Sequence, residues 1–346
     1  MVSNFASDNV SGASPEIIAE LLNASECQAM PYGADEWTLQ LEQKFSTLFE
    51  TNVLVFPVAT GTAANALALG ALTPSHGAIY CHEYSHAHID ECGAPEFYSG
   101  GAKMIGVNGP EGKIEVNSLS SLLKNSRPHG VHNVRPTTLT LSQATESGTI
   151  YSVNELKGLT ELAHHHKMMV HMDGARFANA LVHQDISPAD ATWKCGVDVL
   201  SFGATKNGAL AAEAVVFFAT EIANEFGESR KRGGHLVSKM RFISAQLCAY
   251  INNGLWLKNA SSANNAAQRL SDGLSKISHC RIVNPIHANE VFIELPEYII
   301  ENLENDGFGF YRMNQNNVIR LVTSFNTADT EVDEFIKAVR EYNAKI

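Results

Sequence analysis

What most constrains the fold of this chain is a recurring grammar. Short apolar, β-rich runs each give way to small residues and then to a stretch of helical period. The run NVLVFPV (52–58) passes through Ala59, Thr60, Gly61 and Thr62 into AANALALGAL, a good helix former. Similar runs follow at GAIYCHE (77–83), TTLTLSQ (137–143), KMMVHMD (167–173), VDVLSFG (197–203) and AAEAVVFFA (211–219). Between two of them, Leu156, Leu159, Leu162 and Ala163 fall on one face of a helical segment. Continuous apolar runs of this length suit strands buried on both faces, and crossover helices then make the sheet mostly parallel. The expected class is α/β.

After about residue 225 the texture changes to the polar GESRKRGGH and two long helical patterns, Leu236 to about Ala249 and Leu255 to about Ile277. A tail of alternating strands and helices follows: EVFIEL, PEYIIENLEND, FGFYRM, VIRLVTSF and TEVDEFIKAVREY, the last with a capping-box-like start at Thr330 and Asp333. Residues 1–235 are expected to hold an N-terminal segment and a large domain, and residues 236–346 a smaller α+β domain. The basic cluster Arg230, Lys231 and Arg232 reads as a solvated face, and the triplet His164 to His166 as a solvated helix cap.

Charge and cysteines narrow the function. With 25 Lys and Arg against 37 Asp and Glu the net charge is -12, which disfavours a nucleic-acid partner. No run of about 18 apolar residues offers itself to a bilayer. The opening MVSNFASDNVSG has no basic or apolar leader character, and the six cysteines are scattered without CxxC pairs, so the expected compartment is the cytoplasm.

The chemistry is concentrated at two strand ends. VHMDGARFANA ends an apolar run in Asp173, followed by Gly174, Ala175 and Arg176, and in α/β sheets ligands bind beyond the carboxyl ends of strands. Thirty-three residues later a second run ends in Ala204, Thr205 and Lys206. An acid and a lysine so placed suggest pyridoxal phosphate: a carboxylate keeps the pyridine nitrogen protonated, and a lysine amine condenses with the aldehyde. Thr60, Gly61 and Thr62, at the start of a helix, offer amides and a hydroxyl to a phosphate. His86 or His88 in HAHIDECGAPEF would stack on the ring. His82, His86 and His88 lack the companions of a metal site, so no metal is expected.

FASDNVSG, YGADEWT from Tyr32, ATGTAANALAL, HAHIDECGAPEF, LSQATESGTIY, HMDGARFANA, SFGATKNG, SKMRFISA and RLVTSFNT, in this order, resemble the threonine aldolase family of fold-type I pyridoxal phosphate enzymes. The resemblance covers nearly the whole chain. It implies that Lys206 is the Schiff-base lysine, Asp173 the pyridine partner, Gly61 and Thr62 phosphate donors and His86 the stacking imidazole. Ser7, Arg176 and Arg320 would hold the substrate carboxylate and cofactor oxygens. It further implies cleavage of L-threonine, L-allo-threonine and phenylserine-like substrates to glycine and an aldehyde, in a homodimer or homotetramer with sites at the subunit interface. Where many relatives carry a second histidine this chain has Glu146, so the base could be His86, Glu146 or water. A β-eliminating lyase, a racemase, an aminotransferase or a silent cofactor-binding sensor would use the same residues. A nicotinamide oxidoreductase is disfavoured because no GxGxxG follows the first strand.

Overall fold

The apolar runs become strands where the sequence puts them, and their direction decides where the site lies. The computed structural model describes residues 3–313 and 317–346. Among these, β1 (Leu54–Val58), β2 (Gly77–His82), β3 (Lys103–Val107), β4 (Arg135–Ser142), β5 (Met169–Gly174), β6 (Val199–Gly203) and β7 (Glu213–Phe217) form one sheet in the order β1-β7-β6-β5-β4-β2-β3. Pairing is parallel from β3 to β6, whereas β7 is antiparallel to both β6 and β1. The six co-directional strands therefore end on one edge, and β7 begins on it. β3 was not apparent in the sequence because its KMIGV opens with an exposed lysine and is interrupted by a glycine.

Helices cover both faces. Gly61–Leu72 has buried residues on nearly every side, as a helix does when it lies between a sheet and other helices. Phe45, Phe49, Phe177, Phe202, Tyr250 and Trp256 pack in edge-on and stacked contacts in the core of the opposite face. That core includes Met240 to Ala260, residues that the sequence division groups with the second unit.

The second sheet is antiparallel, with order β10-β11-β9-β8, from β8 (Arg281–Ile282), β9 (Glu290–Glu294), β10 (Tyr311–Arg312) and β11 (Val318–Val322). Its core begins at Ala266 in the helix Leu255–Leu274 and takes in Phe5 from the N-terminal segment. The Phe5 amide donates to Gly309 O at 2.7 Å and its carbonyl accepts from the Val322 amide at 2.8 Å. Residues 3–5 are thus stitched to the second sheet.

Three local expectations change. The last helix is Asp329–Asn343, and its start is capped by Glu331, which accepts from the Ala328 amide at 2.8 Å, not by the Thr330 and Asp333 pair. Arg230 is buried rather than solvated: it lies over the Phe56 ring and donates to Pro57 O at 3.3 Å, and burial pushes its pKa down to about 10. His164 is no plain cap, since its Nε2 meets Asp198 at 3.0 Å.

Two glycines let β5 and β6 end side by side. A Cβ on Gly174 would stand 2.6 Å from Ser201 O, and one on Gly203 would stand 2.7 Å from both Cα and O of Ala175. These obstacles are backbone and yield only by moving the strand ends. Gly203→Ala is expected to cost about 2 kcal/mol of stability in chemical denaturation; an unchanged midpoint would show that the turn can give way.

Candidate active site

Asp173 sits at the end of β5, in register with Ser142 of β4 and Ser201 of β6, and is nearly buried. A buried carboxylate needs donors. The Ala175 amide gives one to Oδ1 at 3.0 Å, and Asn65 Nδ2 gives one to Oδ2 at 2.8 Å. One register step below, on the same face of β5, His171 bridges Thr140 and Ser201, each at 2.8 Å. Burial lowers its pKa to about 4, so the ring is neutral and the Asp173 carboxylate has no cation beneath it.

Asn65 extends this support sideways. The same Nδ2 lies 3.0 Å from Glu91 Oε1, and that oxygen meets His86 Nδ1 at 3.1 Å. Asp173, Asn65, Glu91 and His86 therefore form one chain of polar contacts across the edge. The His86 side chain is 39 % exposed while Glu91 is fully covered, so the imidazole is held by one edge with its ring open. The hydrogen bond to Glu91 raises the His86 pKa, against burial and with help from Asp173; burial raises that of Glu91.

Glu146 lies just past the end of β4. Its Oε1 accepts from the His86 amide at 2.8 Å and from Ser142 Oγ at 2.7 Å, while its buried Oε2 has no partner among the described residues. Burial pushes this carboxyl up to about 7, more than the Ser142 and His86 hydrogen bonds lower it.

After β1, Thr60 caps the helix Gly61–Leu72 by accepting the Ala63 amide at 3.2 Å. The amides of Gly61 and Thr62 are first-turn groups without intrahelical acceptors, and nothing lies within 4 Å of where a Gly61 Cβ would be. Lys206 is in the short turn Thr205–Asn207 after β6, near Glu213 at the start of β7; burial raises the pKa of Glu213, and the Lys206 charge only partly offsets this. Glu213 accepts the Ala204 amide at 2.8 Å, and burial nevertheless leaves it at about 7.

The third part joins the two sheets. Arg176 donates through Nε to Asp8 at 2.8 Å and through Nη2 at 3.2 Å, and its Nη1 is 3.5 Å from Glu290. Burial opposes the Arg176 charge, but Asp8 and Glu290 outweigh it and raise the pKa; Asp8 is lowered because Arg176 and Lys206 together outweigh its burial. Arg320 reaches the same place from β11, 3.9 Å from Glu290 and 3.5 Å from Ala6 O. Ser7 is adjacent, but its hydroxyl caps the turn Asp8–Val10 by accepting the Asn9 amide at 3.1 Å.

The site residues implied by the family resemblance thus lie on this edge or at the junction beside it, whereas His88, the other imidazole offered for stacking, has its Nδ1 3.2 Å from Glu83 O. Asn65, Glu91, Asp8, His171, Glu213 and Glu290 were missed as site residues. Two had a signal: Asn65 is the lone polar residue in AANALALGAL, and Glu290 opens the apolar run EVFIEL with a charge. Glu91→Gln is expected to bring His86 down toward 6.5 in an NMR titration. The shift is upward, so the stabilisation from the protonated ring is complete below 6.5 and is lost as pH rises through the raised value. An unmoved His86 would deny Glu91 that part.

A family model described as beta-eliminating lyase matches residues 4–297. The low specificity L-threonine aldolases of a Pseudomonas strain and of Pseudomonas aeruginosa are each 39 % identical to this chain over 336 residues, 97 % of it and 96 % of theirs. The solved structure of Leishmania major threonine aldolase matches with a TM-score of 0.92 at 26 % identity, covering 99 % of both chains. With a family model that spans most of its length and relatives this similar from end to end, the chain belongs to the beta-eliminating lyase family and to the threonine aldolases within it.

Proposed function

We propose that this chain is a pyridoxal phosphate-dependent aldehyde-lyase that cleaves L-threonine, L-allo-threonine and related β-hydroxy-α-amino acids such as phenylserine to glycine and an aldehyde. The observation that carries the reading is the convergence of an anchored anion, a lysine and a free helix N-terminus on one sheet edge, with a pair of arginines at the junction beside it. The residues present suit the cofactor. Open space beside Gly61 leaves room for a phosphate, and Asn65 Oδ1, Glu91 Oε2 and Arg320 Nε are buried without partners among the described residues.

When bound, the cofactor supplies a protonated ring that takes up the electron pair of the bond broken at the substrate's α-carbon. Lys206 would carry its aldehyde, Asp173 would hold the proton on its ring nitrogen, Gly61 and Thr62 would receive its phosphate and His86 would stack on it. Arg176 and Arg320, with Ser7 beside them, would hold the substrate's α-carboxylate and so choose which bond is broken. Glu146 is assigned the β-hydroxyl proton: one of its oxygens is fixed by two donors, the other is free, and its pKa of about 7 suits proton exchange near neutrality. His86 is less suited, because Nδ1 is committed to Glu91.

An assembly of at least two copies is part of the proposal, in line with the exposed Met30, Tyr32, Leu39 and Phe97. So is a cytoplasmic location, which fits six unpaired cysteines.

The purified protein should be yellow, and with L-threonine, alcohol dehydrogenase and NADH it should release acetaldehyde. Lys206→Ala should lose both the colour and the turnover. Pyruvate, ammonia or an inverted amino acid in place of acetaldehyde would redirect the reading to a β-eliminating lyase or a racemase. Because Glu146 must be ionised to accept a proton, activity should rise with pH through about 7. Glu146→Gln should keep the colour, lose that limb and drop kcat by about a hundredfold or more; a limb that persists in the variant would exonerate Glu146.

A further inference from the structure

Glu290 opens β9 with its side chain 1 % exposed, and neither carboxylate oxygen has a hydrogen-bond partner among the described residues. Oε2 lies 3.5 Å from Arg176 Nη1 and Oε1 lies 3.9 Å from Arg320 Nη1. Both separations exceed those of a charge-assisted hydrogen bond, which closes to about 2.8 Å. The loop at Gly148 shuts the other side, since a Cβ there would be 3.1 Å from Glu290 Cβ. The acid therefore stands between two guanidinium groups without being bonded to either.

The arginines are unequally served. Arg176 has two good bonds to Asp8, which is itself held by Asn289 at 3.2 Å. Arg320 has one long bond to a carbonyl and a buried Nε with no partner. In charge the cluster already balances: Asp8 and Glu290 offset Arg176 and Arg320. A further carboxylate entering here would be a third anion against two cations, in a place where water screens little.

We propose that Glu290 is an internal rival of the substrate's α-carboxylate: it balances Arg176 and Arg320 in the ligand-free site, lowers the affinity for carboxylate ligands and so eases release of the glycine product. This rests on the assignment of the arginine pair to the substrate carboxylate. Glu290 acts through the arginines and not on the reacting atoms. Its signature is unusual, because damage to a merely structural acid weakens binding, whereas removing a rival tightens it.

The test uses the cofactor-loaded protein and two probes: glycine, followed by the visible absorbance, and 3-hydroxybutanoate, which has no amine and depends on the carboxylate pocket, followed by calorimetry. In Glu290→Gln both should bind about tenfold tighter or more. The ligand-free melting temperature should fall, because Arg320 loses its counter-charge, and each probe should then raise it by more than in wild type. Equal or weaker binding of both probes would overturn the proposal. Adding Arg320→Leu should abolish the tightening relative to Arg320→Leu alone; tightening that survives would also overturn it. If Glu290→Gln does not fold, Glu290→Asp, which keeps the charge but withdraws it from the arginines, should tighten binding to a smaller degree, and equal or weaker binding there would count against the proposal. Acetaldehyde release without tightening would sink this inference alone, and tightening without acetaldehyde release would sink the proposed reaction alone.

Discussion

The site depends on keeping a charged carboxylate, Asp173, out of water at the point where three parallel strands end. Two fixed donors make that tolerable: the Ala175 amide, which follows directly in sequence, and Asn65, which reaches in from the helix Gly61–Leu72. The same helix presents its first-turn amides to the loop after β1. One element thus sets the distance between the place for a phosphate and the anion for a ring nitrogen. The lone reversed strand, β7, adds Glu213 to the edge on which the other strands end, where it holds the Ala204 amide two residues before Lys206.

Much of this was legible because burial leaves marks on sequence. Strands covered on both faces must be apolar throughout, so six of the seven strands of the large sheet stood out as runs, and the residues ending them stood out against that background. β3 did not, because its KMIGV opens with an exposed lysine and is interrupted by Gly106, which leaves too short an apolar run to stand out. Asp173, Lys206 and Arg176 could be read because they interrupt apolar segments or follow them directly. Asn65 could not be given a role, because an amide acquires its role from its partner, and Asn65 is 108 residues from Asp173. Arg230 was misread for the related reason that its neighbours Lys231 and Arg232 are polar, while its own shelter, Phe56 and Pro57, lies in β1.

The arginine cluster is of a different kind. It belongs to no single sheet, since Arg176 follows β5, Glu290 and Arg320 lie in β9 and β11, and Asp8 comes from the N-terminal segment. Its charges are close to balanced and largely removed from water, an arrangement in which gain or loss of one charge is felt strongly. Asp173 has fixed donors and a neutral histidine beneath it; the cluster is held by ion pairs of unequal length. The first suits a partner that stays, and the second a ligand that comes and goes.

The N-terminal stitch across the second sheet carries a consequence for how the molecule comes into being. Ala6 and Arg320, which meet in the finished cluster, are separated by 314 positions. Closing so long a loop is entropically unfavourable until much of the intervening chain is compact. The edge bearing Asp173 and Lys206 can form once the chain has reached about Ala260, whose segment completes the core behind it, whereas the carboxylate pocket has to wait for β11 to emerge. A nascent or truncated chain would therefore pass through a stage at which cofactor capture is feasible and substrate selection is not.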